Sequence, residues 1–90
     1  MTKAVVDPEE LRRFALELKR FNTDVGQRMA ALNGRFQNLQ QTWRDQEYQK
    51  FAEQYGQTMT ALGRFVQASE TQIPFLLKKA EHIENYLNQR

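Results

Sequence analysis

Residues 40–51 of the chain read QQTWRDQEYQKF and lie at its middle. They contain the only tryptophan, Trp43, but neither glycine nor proline. Apolar residues are regularly spaced on both sides, so either one helix runs through this stretch or the chain turns there. Asp45 can cap a new helix that begins at Gln46, and aspartate tolerates the left-handed conformation better than most residues. We therefore predict a turn at residues 43–45 made without glycine, rather than one uninterrupted helix.

The first helix is predicted over residues 8–42. Asp7 can cap its free N–H groups, Pro8 suits the first helical position, and Glu10 completes a box-like Asp-x-x-Glu arrangement. Apolar residues recur every three or four positions, with an additional four-residue step between Val25 and Met29, which is typical of a continuous coiled-coil-like stripe. The stripe comprises Leu11, Phe14, Leu18, Phe21, Val25, Met29, Leu32, Phe36, Leu39 and Trp43.

The second helix is predicted over residues 46–89. Its stripe comprises Tyr48, Phe51, Tyr55, Met59, Leu62, Val66, Ser69, Ile73, Leu76, Ala80, Ile83 and Leu87. Pro74 removes one backbone donor and crowds the carbonyl of Glu70, so we expect a kink near residues 70–74. The stripe keeps its phase across Pro74, which favours a kinked helix over a turn. The chain is then one all-α domain, residues 1–90, built as an antiparallel two-helix hairpin.

The four glycines fall inside these helical stretches. Each costs about 1 kcal/mol relative to alanine in a helix interior, so their presence needs a reason. In the hairpin, Gly26 lies level with Gly63, and Gly34 lies level with Gly56. We expect these pairs to let the two backbones approach closely, and the alternative is that the glycines are scattered on solvent faces.

One hairpin cannot cover the six phenylalanines, three tyrosines and one tryptophan of this chain. A chain of this length buries only about 60 to 65% of its extended-chain surface, so its stability alone is marginal. Apolar residues such as Phe65, Phe75 and Leu77 remain on a second side. We therefore expect two hairpins to pair antiparallel into a four-helix bundle, as a homodimer or a heterodimer. The residues assigned to its core and dimer stripe are Leu11, Phe14, Leu18, Phe21, Leu32, Phe36, Leu39, Phe51, Tyr55, Leu62 and Phe65.

The composition argues against several other functions. The net charge is +2, but acidic and basic residues interleave, which is typical of a solvated mixed-charge face and not of a nucleic-acid groove. No apolar run approaches the ~20 residues of a membrane span, so membrane insertion is not predicted. The N-terminus is charged too soon for a secretory signal, so no Sec-type export is expected.

Catalytic chemistry is not predicted either. His82 is the only histidine and there is no cysteine, whereas a zinc site needs three or four ligands. The glycines form no phosphate-binding loop, and there is no nucleophile motif. Glu9 and Glu10 are typical of helix-start charges. We expect a protein that is not an enzyme, with no catalytic, cofactor-binding or metal site and no cofactor.

The order of these features resembles the WXG100 (ESAT-6-like) family. The matching positions are Val6-Asp7-Pro8-Glu9-Glu10 at the helix start, the two apolar stripes, and Trp43-Arg44-Asp45 followed by Phe51. The resemblance covers nearly the whole chain. It implies a helical hairpin that forms homo- or heterodimers and is a substrate or co-substrate of a type VII secretion system. The turn motif is Trp43, Arg44 and Asp45, and the resemblance implicates its tryptophan in contacts with the secretion ATPase or with the partner's tail. The alternative is that Trp43 closes the end of the bundle against Phe36, Tyr48 and Phe51, and both roles are compatible because an aromatic ring can pack with one face and present an edge.

The chain departs from the family pattern at two places. Asp45 replaces the glycine of the Trp-x-Gly turn. The C-terminal export signal, Tyr-x-x-x-Asp/Glu, is missing, because Tyr86 is followed four residues later by Arg90. Either a partner carries the signal, or the protein is not exported alone, or recognition differs. Secretion by a Sec-independent route is favoured over a cytoplasmic location, and the alternative is an intracellular adaptor or chaperone-like module that holds a larger helical partner.

Overall fold

The computed structural model describes residues 6–89. Two α-helices, α1 (Pro8–Thr42) and α2 (Gln46–Asn88), run antiparallel and are joined by residues 43–45. No strand is present in this part of the chain. The prediction of an all-α fold with two long helices in a hairpin is therefore confirmed for the described residues.

The start of α1 follows from its capping residue. Asp7 has an extended backbone, and its Oδ1 accepts a hydrogen bond from the backbone N–H of Glu9 at 3.0 Å. Pro8 occupies the first turn, where an N–H group would have no helical partner. Glu9 and Glu10 follow in the same turn, where negative charge is favourable at the positive end of the helix dipole.

The helix α2 is continuous through Pro74. Proline lacks the N–H group that would bond to the carbonyl four residues earlier, so the helix lacks that hydrogen bond at Glu70. The helical assignment nevertheless persists to Asn88, and Gln89 caps the end through its N–H group, which donates to the carbonyls of Asn85 and Tyr86. No turn interrupts the second half of the hairpin.

The connection between the helices needs no left-handed residue. Trp43 and Asp45 both have extended backbones, with φ and ψ of −92° and 108° and of −97° and 179°. No described residue has a positive φ. The tolerance of aspartate for the left-handed conformation is therefore not used, and this part of our expectation is wrong. Asp45 fits the turn because it is an extended N-cap residue.

The hairpin is a single layer of two helices. Its principal extents are 69 × 23 × 15 Å, and its radius of gyration is 20.2 Å, whereas a compact 90-residue domain has about 12 Å. No large side chain among the described residues is fully buried. A structure one layer thick has no interior of its own, because each helix covers only one side of the other.

The seam between the helices is closed by small and polar residues. Ala15 and Ala80 have no exposed surface, and Asn22 and Ser69 are 2% and 3% exposed. The larger seam residues are half-buried, and they are Leu11, Leu18, Val25, Met29 and Phe36 on α1 and Tyr48, Tyr55, Met59, Val66, Ile73, Leu76 and Ile83 on α2.

The predicted stripe of α1 therefore divides into two rows. Leu11, Leu18 and Phe36 lie in the seam, but Phe14 and Phe21 remain 58% and 51% exposed. Ala15 and Asn22, one position further along, take the seam instead. The expectation of one continuous face is wrong because the helices approach each other over the smaller residues, which turns the phenylalanines to one side.

The expected close approach at the glycines is also wrong. A Cβ atom added to any of the four would meet nothing within 4 Å. Gly26, Gly34 and Gly56 are exposed and Gly63 is half-buried. The alternative, glycines on an open face, describes these positions better.

A salt bridge links the two helices at the open end of the hairpin. The Arg12 guanidinium donates a hydrogen bond to the Glu84 carboxylate, and it also lies 3.6 Å from Glu9. The hydrogen bond with Glu84 raises the pKa of Arg12 above its ordinary value. The pair lies about one helical turn from the buried residues Ala15 and Ala80, so it covers the end of the seam.

Candidate protein-interaction surface

An aromatic cluster fills the turn end of the hairpin. We call it the tip cluster, and it consists of Phe36, Trp43, Tyr48, Phe51 and Tyr55. Phe36 lies nearly parallel to Tyr55, with ring centroids 4.4 Å apart, and also contacts Tyr48 and Phe51 at 6.1 and 6.0 Å. Trp43 contacts Tyr48 at 5.6 Å and Phe51 at 5.5 Å. Aromatic pairs at such distances contribute about 0.5–1.5 kcal/mol beyond their area burial, so the cluster fixes the turn.

Asp45 connects the tryptophan to the start of α2. Its Oδ1 accepts a hydrogen bond from the indole Nε1–H of Trp43 at 2.7 Å and another from the backbone N–H of Tyr48 at 3.3 Å. One carboxylate therefore caps the helix and orients the indole. The sequence predicted the cap but not the hydrogen bond to Trp43. The separation of only two residues across an extended turn could have indicated that bond.

Two further hydrogen bonds join the helices at this end. Gln40 Nε2 donates to the hydroxyl of Tyr48 at 2.6 Å, and the hydroxyl of Tyr55 donates to Asn33 Oδ1. These bonds direct the hydroxyl groups toward α1 and leave the ring faces in the cluster. Trp43 itself is half-buried, so it packs with one part of its surface and exposes the other.

A row of large apolar side chains lies along one side of the seam. We call it the apolar flank, and it consists of Phe14, Phe21, Leu32, Leu39, Phe51, Leu62 and Phe65. Each is 38 to 58% exposed. Separations of seven, eleven and fourteen residues are close to whole numbers of helical turns, so the members on each helix share one face. Phe21 and Phe65 touch edge to face at 6.0 Å, which places the rows of both helices on the same side.

The other side of the seam is lined by small residues. Gly26, Ala30 and Gly63 line one shallow groove there, and Ala52 and Gly56 line a second. Of the two predicted glycine pairs, Gly26 and Gly63 line the same open groove without bringing the two backbones into close contact. The two sides of the hairpin differ in kind: the flank is a row of large exposed apolar side chains, whereas small residues form part of the groove linings.

The predicted export-signal position is near the end of α2. Tyr86 is 66% exposed on the last two turns of the helix. Arg90 lies outside the described residues. Phe75 is 67% exposed on α2 and is not a member of the apolar flank.

No group of three or more His, Cys, Asp or Glu residues that could hold a metal ion occurs within residues 6–89. Neither described helix contains a segment long and apolar enough to cross a membrane. What the hairpin offers is a rigid aromatic tip and an uncovered apolar flank.

Sequence reasoning found half of the residues that form the tightest part of the seam. The predicted stripe of α2 included Ser69 and Ala80, but apolar spacing on α1 emphasised larger neighbours and missed Ala15 and Asn22. The Arg12–Glu84 bridge was also missed, because it joins residues 72 positions apart. A count of levels from the predicted turn places Arg12 level with residue 77, about 10 Å along the helix from Glu84, so it does not find the bridge.

Comparisons with known proteins give one match. Searches of curated proteins and of solved structures returned no match. The family model WXG100, described as proteins of 100 residues with WXG, matches residues 4–88. Because this match covers nearly the whole chain, the resemblance is confirmed, and the protein belongs to the WXG100 family of small, generally non-enzymatic helical proteins linked to type VII secretion.

Proposed function

We propose that this protein acts through dimerisation, as a secreted substrate or co-substrate of a type VII secretion system. Two hairpins cover each other's apolar flanks and form a four-helix bundle. The observation that carries this proposal is the flank itself, whose large side chains are 38 to 58% exposed along most of the hairpin. Contiguous apolar patches of this kind mark protein-interaction sites.

The exposed area supports the same conclusion. The hairpin has 7385 Å² of accessible surface, about a third more than the ~5,500 Å² expected for a compact monomer of its mass. The excess arises because the layer has no second layer above it. A second hairpin on the flank converts one layer into two, which is the usual architecture of a stable domain.

The tip cluster is the proposed contact with the secretion machinery. Trp43 is held by Asp45 and by the rings of Tyr48 and Phe51, so its orientation is fixed before any partner binds. Preorganised aromatic side chains lose little conformational freedom on binding, which makes them effective interaction residues. The proposed partners are the secretion ATPase and the C-terminal tail of the other hairpin.

The residue four positions after Tyr86 supports a second candidate. Tyr86 is followed four residues later by Arg90 instead of Asp or Glu. If no partner supplies an acidic signal, the same flank serves an intracellular adaptor or chaperone-like module that holds a larger helical partner.

The first experiment measures the mass of the purified chain by light scattering. We expect a value near twice the chain mass of 10.7 kDa. A monomer that unfolds cooperatively at every concentration would contradict self-association. Co-expression with a second hairpin protein encoded by a neighbouring gene then tests a heterodimer.

The second experiment compares culture medium from wild-type cells with medium from cells that lack the secretion ATPase. ATPase-dependent appearance of the protein in the medium is expected. A matched variant, Trp43→Phe, tests the tip: it keeps an aromatic ring but removes the indole N–H. Strict retention of the wild type with a co-purifying helical protein would support the adaptor instead.

A further inference from the structure

A row of charged residues follows the apolar flank along the outer edge of α1. Each flank member on α1 has a charged residue four positions before it. These pairs are Glu10 with Phe14, Glu17 with Phe21, Arg28 with Leu32, and Arg35 with Leu39. Residues four apart are neighbours on a helix surface, so each charge borders the flank. All four charged residues are exposed. The row is acidic toward the open end of the hairpin and basic toward the tip.

The existing ion pairs of this row are weak. Glu10 lies 3.3 Å from Arg13 and Glu17 lies 3.4 Å from Arg20, with all four side chains 64 to 77% exposed. Such exposed pairs one turn apart contribute little and exchange partners readily. Arg28 and Arg35 form no salt bridge with any described residue. The carboxylates are therefore available to a partner, and the two arginines lack an acidic partner within the described hairpin.

The arrangement of the row matches a reversed copy of itself. Seven residues separate the two acids, and seven separate the two bases. An antiparallel α1 that brings Glu10 beside Arg35 of the second copy also brings Glu17 beside Arg28, because both helices rise equally per residue. The same register places Phe21 near the two-fold axis and Phe14 near Leu32 of the other copy. Charge and apolar surface thus agree on one register.

We infer that the occupant of the apolar flank is a second copy of this chain, with α1 antiparallel to the α1 of the other copy. This inference rests on the proposed function and specifies its partner. A two-fold interface uses the same patch on both subunits and therefore requires a self-complementary patch. The charged row on α1 meets that requirement, because the same two acid–base pairs, Glu10 with Arg35 and Glu17 with Arg28, form on each side of the two-fold axis.

The parallel alternative lacks this complementarity. If both tips lay at the same end, α1 would face α2 of the other copy. The residues four positions before the flank members of α2 are Glu47, Thr58 and Ala61, of which only Glu47 is charged. The arginines and glutamates of α1 would then lose their matched partners.

The test uses two charge-reversal variants of the full chain. The acid variant is Glu10→Lys with Glu17→Lys, and the base variant is Arg28→Glu with Arg35→Glu. Alone, each places like charges at all four contacts of its homodimer. Mixed, the two variants restore opposite charges at all four. Dimer dissociation constants are measured by sedimentation and by energy transfer between labelled copies.

We expect each variant alone to dimerise at least about tenfold more weakly than the wild type at low salt, and the mixture to recover wild-type affinity. The differences should shrink at about 0.5 M salt, where screening is strong. The control is Glu53→Lys with Glu70→Lys, which changes the net charge by the same amount as the acid variant. These glutamates line the grooves that contain Gly56 and Gly63, so dimerisation should be unaffected.

The outcomes separate this inference from the proposed function. A wild-type dimer that neither variant weakens, or a mixture that does not recover, overturns the charge-specified register but leaves dimerisation intact. A wild-type chain that is monomeric alone and dimeric with a different hairpin protein overturns the second copy as the partner. A chain that dimerises with neither contradicts the proposed function as well.

Discussion

The indole N–H of Trp43 donates a 2.7 Å hydrogen bond to the Oδ1 atom of Asp45, the same atom that caps α2. The residue that replaces the family's turn glycine therefore holds the family's tryptophan. Because Trp43 and Asp45 have extended backbones and no described residue has a positive φ, glycine is not required by the backbone. With Asp45 in place of glycine, this position of the turn has less backbone freedom, but its carboxylate holds the indole of Trp43 through a hydrogen bond.

Substitution of Asp45 tests both roles of the carboxylate. Asp45→Asn keeps an acceptor and should change the free energy of unfolding little, whereas Asp45→Ala should cost about 1 kcal/mol through the lost cap. Asp45→Gly should lie between them, since glycine is an acceptable N-cap. Chemical denaturation gives the stabilities, and tryptophan fluorescence reports the indole. An alanine variant as stable as the wild type would show that the cap contributes nothing.

Replacement of Asn22 should stabilise the hairpin. Asn22 is 2% exposed, and neither its Nδ2 nor its Oδ1 has a hydrogen-bond partner. An unsatisfied buried amide costs about 1–3 kcal/mol, so Asn22→Leu should raise the free energy of unfolding by a similar amount. Denaturant unfolding measures the change, with Asn38→Leu on the exposed surface as the control. A loss of stability would mean that the amide is bonded in solution.

The Phe21–Phe65 contact should matter more to the dimer than to the hairpin. Both rings are about half-exposed, at 51% and 49%, so Phe21→Ala should cost the isolated hairpin less than the 3–5 kcal/mol typical of buried phenylalanine, about 1–2 kcal/mol. In the dimer the loss should be larger and should depend on protein concentration. Thermal unfolding over a hundredfold concentration range distinguishes these cases.

Leu16→Ala is the matched control for this prediction, because Leu16 is 52% exposed and lies about 200° of helical rotation from the flank residue Phe14. Its effect should be small and independent of concentration. Equal effects of the two substitutions would contradict the assignment of the flank to the interface.

Alanine at the glycines should stabilise the helices. Nothing lies within 4 Å of an added Cβ at Gly26 or Gly56, so each substitution should gain about 0.5–1 kcal/mol by reducing the freedom of the unfolded chain. Circular dichroism during thermal unfolding measures the gain. If the substitutions stabilise the hairpin yet weaken dimerisation, the partner binds the side of the seam with the glycine-lined grooves and not the apolar flank.

The contribution of the Arg12–Glu84 bridge to stability should fall as the salt concentration rises. It should not change near neutral pH through titration of Arg12. The hydrogen bond with Glu84 raises the pKa of Arg12 above its already high value. The contribution of a base with a raised pKa is complete below its unfolded pKa and is lost only as pH rises through the folded value. Titration of Arg12 should therefore leave stability unchanged from neutral to moderately alkaline pH.

A double-mutant cycle with Arg12→Gln and Glu84→Gln measures the coupling of this pair, and the cycle for Arg13 and Glu10 is the control. We expect greater coupling across the helices than within α1, because Arg12 and Glu84 are 33% and 42% exposed and the control pair is 64% and 67% exposed. Hydrogen exchange of amides near Ala15 and Ala80 should accelerate in the single variants. Equal coupling in both cycles would show that the bridge does not close the open end.

The sequence by itself determined the helices, their ends and the turn. These features depend on contacts between residues two to four positions apart, such as the Asp7 and Asp45 caps. It also indicated the family, because the order of the helix start, the stripes and the tryptophan is a property of the chain.

Only the tertiary structure decided which part of each apolar stripe lies in the seam. Phe14 and Ala15 are adjacent on α1, and a helical period of 3.6 residues cannot say which of them faces α2. The choice depends on how closely two helices pack: Ala15 and Ala80 permit a close seam, and this turns Phe14 and Phe21 outward. The apolar flank and its border of charges arise from that rotation, which no local interaction specifies.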